Sequence, residues 1–166
     1  MHPIITQHLE TLFLKASRGA ARKAIYALRA RQGGESALAA LYDAMSQSEA
    51  AQARRLLIQL RGQTGTSGDN RQTCLTEEIP DLIENYNTAT EHAREHGERA
   101  MQGAFSQSAR VEKIYLSLLR KVEQNKISQG HYQVCRFCGF IREGHEAPEN
   151  CPICTAPSSR FQAVGP

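Results

Sequence analysis

Two pairs of cysteines near the end of the chain constrain it more than any other feature. The sequence reads Tyr132-Gln-Val-Cys135-Arg-Phe-Cys138-Gly139-Phe140 and, with twelve residues between Cys138 and the next cysteine, Cys151-Pro152-Ile153-Cys154. A Cys-x-x-Cys pair is short enough for one tight turn to aim both sulfurs at a single ion. Two such turns facing each other make a tetrahedral four-thiolate site. Gly139 can take the positive φ that such a turn needs just past its second cysteine, and Pro152 fixes the backbone inside the second turn. Four thiolates select zinc or iron, and ligand type alone does not choose between those two. The competing reading is a pair of disulfides in a secreted module. Met1 to Glu10 lacks the basic start and apolar run of a signal peptide, and the fifth cysteine, Cys74, leaves an odd count. The pattern therefore reads as a metal site in a cytoplasmic protein.

A chain of 166 residues can build one good core and a small appended module. With 40% hydrophobic and 22% charged residues it has the balance of a soluble globular protein, and no apolar run approaches the length of a membrane span. Residues 1–61 carry nine Lys/Arg against four Asp/Glu, or +5, which leaves −2 for the rest of a chain of net charge +3. No aromatic-interleaved basic run accompanies that excess. Arg18, Arg22, Lys23, Arg29 and Arg31 read as a solvated helix face, and neither nucleic acid nor membrane is expected as a partner.

Ahead of the cysteines the pattern is helical almost throughout. Helix A, from about Ile5 to Gln32, has an apolar stripe of Leu9, Leu12, Phe13, Ala16, Ala20, Ala24, Ala27 and Leu28 at close to 3.6-residue period. Gly33-Gly34 ends it. Helix B, about Glu35 to Arg61, sets Leu38, Leu41, Tyr42, Met45, Gln52, Leu56 and Leu60 on one face, so A and B form an antiparallel hairpin. Gly62 to Asn70 reads as a flexible Gly/Ser/Thr linker. Helix C follows from Thr76 or Ile79 to His96, with Pro80 in its first turn, and Gly97 breaks it. Helix D, about Glu98 to Asn125, turns Met101, Ala104, Phe105, Ser108, Tyr115, Leu119 and Val122 inward. Two hairpins joined by one long crossover predict a ferritin-like four-helix bundle over residues 1–126, followed by a small four-cysteine metal domain over residues 131–166. The small module has few apolar residues and depends on its metal to fold.

The segment from about Tyr132 to Ala163 resembles the rubredoxin-like domain that closes rubrerythrins. The resemblance rests on the aromatic before the first cysteine, Cys-x-x-Cys-Gly-aromatic, the spacer Glu143-Gly144-His145-Glu146-Ala147-Pro148-Glu149, Cys-Pro-x-Cys, Ala156-Pro157 and the late aromatic Phe161. Thr155 departs from it, since glycine is usual after the fourth cysteine. The resemblance implies one iron on Cys135, Cys138, Cys151 and Cys154 that passes single electrons, with zinc as the alternative because zinc ribbons share the spacing. It also implies peroxide reduction at a bundle di-iron site, a homodimer, and a redox donor or acceptor protein.

Ferritin-like di-iron proteins place a Glu on each of two helices and Glu-x-x-His on the other two, because residues i and i+3 share a helix face. Carried over residue by residue, the resemblance puts these motifs on Glu49-Ala-Ala-Gln52 and Glu112-Lys-Ile-Tyr115, each with its His replaced. Ala16 falls where helix A should offer Glu, and the acids of helix C fall on Glu78 and Asp81, off the stripe of Ile79, Leu82, Ile83 and Tyr86. Two facing carboxylates in a bundle core are unfavourable without a cation. Glu49 and Glu112 must then hold a metal on a reduced ligand set, be protonated against Gln52 and Tyr115, or meet a cationic side chain. With three ligands missing, a di-iron centre is not expected, and no catalytic residue is assigned. A structural or interaction protein with a zinc ribbon is the alternative in another class. His92-Ala-Arg-Glu95-His96 matches a zinc-peptidase pattern but sits opposite the apolar stripe in the last turn of helix C, where cations suit the helix dipole.

Overall fold

The computed structural model describes residues 1–62, 65–124 and 130–166. The chain divides into two compact units, Met1–Gly65 and Thr66–Pro166. The first is a hairpin of α1 (Pro3–Gln32) and α2 (Ser36–Arg61). Gly34, at φ +78°, reverses the chain between them as the Gly-Gly pair predicts. The seam is lined with alanine: Ala20, Ala27 and Ala30 of α1 and Ala39 and Ala53 of α2 are buried. The larger residues of the expected stripes behave differently, since Leu12, Leu28, Leu41 and Met45 are exposed. Two helices have a single seam, and side chains that end at Cβ let the backbones approach most closely there. One sign of that approach is the Ser46 hydroxyl, which donates to the Ala20 carbonyl oxygen at 2.8 Å. Tyr26 and Tyr42 meet edge to face at 5.5 Å, and Arg31 pairs with Asp43 near the turn.

The second unit turns helical sooner than its composition suggests. α3 spans Ser67–Thr73, so Ser67 to Asn70 are helix rather than linker, while Gln63 and Thr64 of that stretch lie outside the described residues. The cause is a capping box. Thr66 Oγ1 accepts from the Asp69 N–H at 3.1 Å, and the Asp69 carboxylate accepts from the Thr66 N–H at 2.9 Å. A π-helical turn, Cys74–Glu78, then leads without a break into α4 (Ile79–Glu95). Pro80 stands in the first turn of α4, as expected, and the wider turn before it relieves the clash between its ring and the carbonyl one turn back. Gly97, at φ +73°, turns the chain into α5 (Arg99–Glu123), antiparallel to α4. The expected end of helix D at Asn125 lies outside the described residues.

The C-terminal module is a three-stranded antiparallel sheet in the order β2-β1-β3. β1 is Tyr132–Cys135, β2 Ile141–Glu143 and β3 Phe161–Val164, with a 3₁₀ turn at Ser158–Arg160. Val134 stands opposite Ile141 on one side and Gln162 on the other. The module packs its core against α5. Val111 of α5 is buried with Cys135, Phe140, Cys151 and Ile153, and Ile114, Tyr115 and Phe161 close around them. Such a small sheet has too little apolar area of its own, and one helix face supplies a wall.

Candidate metal centre

The two cysteine turns are built alike. The Cys135 N–H donates to Phe140 O at 2.8 Å and the Gly139 N–H to Cys135 O at 2.9 Å. In the second turn the Cys151 N–H donates to Ala156 O at 2.8 Å and the Thr155 N–H to Cys151 O at 2.9 Å. The residue after each second cysteine has positive φ, +83° at Gly139 and +63° at Thr155. Gly139 thus adopts the conformation expected of it. Thr155 takes the same shape with a β-branched side chain, its hydroxyl bonded to Cys154 O at 2.6 Å.

This pairing of turns brings the four sulfurs together. Cys135 and Cys154 Sγ are 3.8 Å apart, Cys138 and Cys151 Sγ are 3.6 Å apart, and all four lie within 4.8 Å of one another. A tetrahedron with metal–sulfur bonds of about 2.3 Å has edges of about 3.8 Å, so the donor set fits a single ion. The four side chains are unbridged, which removes the disulfide reading. Cys135 and Cys151 are buried, while Cys138 and Cys154 are half-buried. Among the described residues no other group of three or more His, Cys, Asp or Glu side chains gathers its ligand atoms so closely.

Backbone donors point at the sulfurs. Burial pushes the Cys138 and Cys154 thiols up, against the pull of the Phe140 N–H on Cys138 and the Ala156 N–H on Cys154. Burial acts the same way on Cys151, but the N–H groups of Cys154 and Ile153, together with the Cys154 and Cys138 side chains, draw that thiol below its ordinary value. Thiols bind a cation as thiolates, so loading the cluster releases protons. Outside the sulfurs, Arg110 donates to Pro152 O at 3.4 Å, Gln133 donates to His145 O at 2.7 Å, and Phe137 between the first two cysteines is 75% exposed.

Glu49, Gln52, Glu78, Asp81 and Tyr115 each have a partner of their own. Glu49 meets Lys23 Nζ at 2.5 Å through Oε1, while Oε2 is buried without a hydrogen-bond partner over Gly19, where a Cβ would collide with it. Gln52 is exposed and donates to Ser48 Oγ at 3.5 Å. Ala16, Glu49 and Gln52 line one open cleft of about 540 Å³ with Leu12, Lys15, Arg55 and Leu56. In the second unit, Glu78 accepts from Cys74 Sγ at 3.2 Å, and Asp81 accepts from Asn85 at 3.0 Å. Burial raises the Glu112 carboxyl above its ordinary value. The Tyr115 hydroxyl donates to Gly139 O at 2.8 Å, in the first cysteine turn. Burial, then the neighbouring Glu112 and Cys138, raise the Tyr115 phenol and keep it neutral. His96 caps α4, its Nδ1 2.8 Å from His92 O. Sequence reasoning missed the partner of Glu49, although Lys23 lies one helical turn beyond Gly19 on the same face of α1.

Fold and site together define a four-thiolate metal protein built on helical hairpins. A family model of the rubrerythrin rubredoxin-like domain matches residues 133–162. Rubrerythrin of Porphyromonas gingivalis is 25% identical over 95% of this chain and 88% of its own length. Rubrerythrin of Nitratidesulfovibrio vulgaris is 30% identical over 51% of this chain and 48% of its own length, so that match spans about half of each protein. A chain of nigerythrin in its partially reduced state shares the fold, with a TM-score of 0.51 and 20% identity over 96% of this chain and 86% of that one. The chain is similar to rubrerythrins over most of its length and carries a match to their rubredoxin-like domain near its C-terminal end. No helix among the described residues is long and apolar enough to cross a membrane.

Proposed function

We propose that this protein holds one iron on Cys135, Cys138, Cys151 and Cys154, moves single electrons through it, and lacks a working di-iron centre. The observation that carries the reading is the closeness of the four sulfurs, all within 4.8 Å of one another. Iron held by four thiolates supplies one-electron chemistry, with a potential set by hydrogen bonds to sulfur and by exposure. The chain's own part is to hold that geometry through two matched turns, to aim backbone N–H groups at the sulfurs, and to keep Cys135 and Cys151 away from water. Exposed Phe137 gives a redox partner protein an approach between the first two cysteines.

The family's di-iron ligands fit poorly here. Ala16 and Tyr115 offer no carboxylate or imidazole, Gln52 turns to Ser48, and Lys23 already neutralises Glu49. No step is therefore assigned to the helices, and any link to peroxide defence runs through electron supply. A homodimer and an as yet unspecified donor or acceptor protein belong to the same reading. Anaerobic titration with dithionite tests it. The iron-loaded protein should be red and bleach on taking up one electron per chain, with slow peroxide turnover. A colourless protein whose sulfurs hold zinc would overturn the redox assignment, and rapid peroxide turnover would overturn the view of the helices.

A further inference from the structure

Tyr115 stands where the family resemblance implies an imidazole ligand, yet its hydroxyl reaches into the cysteine module. It donates to Gly139 O at 2.8 Å. That carbonyl belongs to the Gly139–Phe140 peptide group, and the N–H of the same group donates to the Cys138 sulfur. One planar unit thus accepts from Tyr115 on one side and donates to a metal-binding sulfur on the other. A hydrogen bond accepted by a peptide carbonyl polarises the amide and strengthens its N–H as a donor. The ring is held for this task among Val111, Ile114 and the module's core, and Val111 and the Tyr115 hydroxyl crowd Gly139 so closely that a Cβ there would lie 3.3 Å from the oxygen. The second turn carries the equivalent peptide group, Thr155–Ala156, whose N–H likewise reaches Cys154.

We propose that Tyr115 is a positioning residue for the four-cysteine site, tuning the Cys138 thiolate through the Gly139–Phe140 peptide and so coupling α5 to the site's potential. The inference rests on the iron reading above for its redox consequence. A hydrogen bond to sulfur stabilises the more negatively charged, reduced site, so strengthening it raises the potential. Removing the hydroxyl should lower it.

The test compares the full chain with its Tyr115→Phe variant, which keeps the ring, and with a chain carrying 3-fluorotyrosine at position 115, a stronger donor. Two readouts are taken on each: the potential of the iron-loaded protein by spectroelectrochemistry, and the sulfur-to-metal charge-transfer band after loading with cobalt(II). Tyr115→Phe should lower the potential and move the cobalt band to longer wavelength, and the fluorinated side chain should move both the other way. Iron-loaded protein with no one-electron wave would defeat the iron reading alone, because the cobalt bands still decide the role of Tyr115. If the bands and potentials of all three proteins coincide while Tyr115→Phe only melts earlier, Tyr115 is a packing residue and the inference fails. Should Tyr115→Phe not load, the fluorinated chain decides by itself: an upward shift supports the inference, and no shift overturns it.

Discussion

Thr155 shows how much one position can carry. Among the described residues it is the sole non-glycine with positive φ, +63°, in a turn whose twin places Gly139 there. A β-branched residue in that region costs about 1–3 kcal/mol, while glycine loses about 0.5–1 kcal/mol more in entropy on folding. Thr155→Gly should therefore stabilise the metal-loaded module by about 1 kcal/mol in denaturant unfolding. A loss instead would mean that the hydroxyl bond to Cys154 O outweighs the strain. Lys23 carries a comparable load on α1. Its ammonium meets Glu49 where both side chains are mostly covered, at 19% and 27% exposure. Lys23→Met leaves a carboxylate without its cation and should cost about 1–2 kcal/mol, below the range for fully buried pairs because water screens part of it. Adding Glu49→Gln should recover much of that loss; an unchanged double variant would show that lysine packing, not charge, is what matters.

Single elements were legible to different degrees. Hydrophobic period and paired glycines place α1, α2, α4 and α5 within a few residues, because those signals act locally. α3 was hidden, since Thr66-Ser-Gly-Asp69 looks like linker by composition and becomes a helix start only through reciprocal capping. The π turn after it has no simple pattern, because it arises from accommodating Pro80. The cap gives a pH prediction. Hydrogen bonds from the Thr66 side chain and backbone hold the Asp69 carboxyl below its ordinary value of 3.8. Its contribution to α3 is then fully present above 3.8 and lost as pH falls through the lower folded value. Amide exchange in Ser67–Thr73 should rise, relative to that of α5, on acidification through that window. Thr66→Ala should show the raised exchange already at neutral pH. Equal exchange in the variant and the parent chain would remove the cap from the account.

At the scale of the whole molecule, the cysteine spacing alone located the metal centre, since ligands three residues apart on a turn leave little freedom. The bundle residues were legible only as departures from a family pattern. What became of them depends on contacts between distant segments: Lys23 on α1 with Glu49 on α2, and Tyr115 on α5 with Gly139 in the cysteine module. No local period encodes either pair. The apolar stripes likewise marked the helices correctly but not the α1–α2 seam, where alanines are buried and Leu12 and Leu41 are exposed. The result is a chain whose one complete ligand set, among the described residues, is the four-cysteine cluster. Metal analysis of protein reconstituted anaerobically with excess ferrous iron and then desalted tests that claim most directly. The account predicts one tightly held iron per chain, lost entirely when Cys138 and Cys151 are both replaced by serine. Three irons per chain, two of them surviving that double replacement, would contradict it.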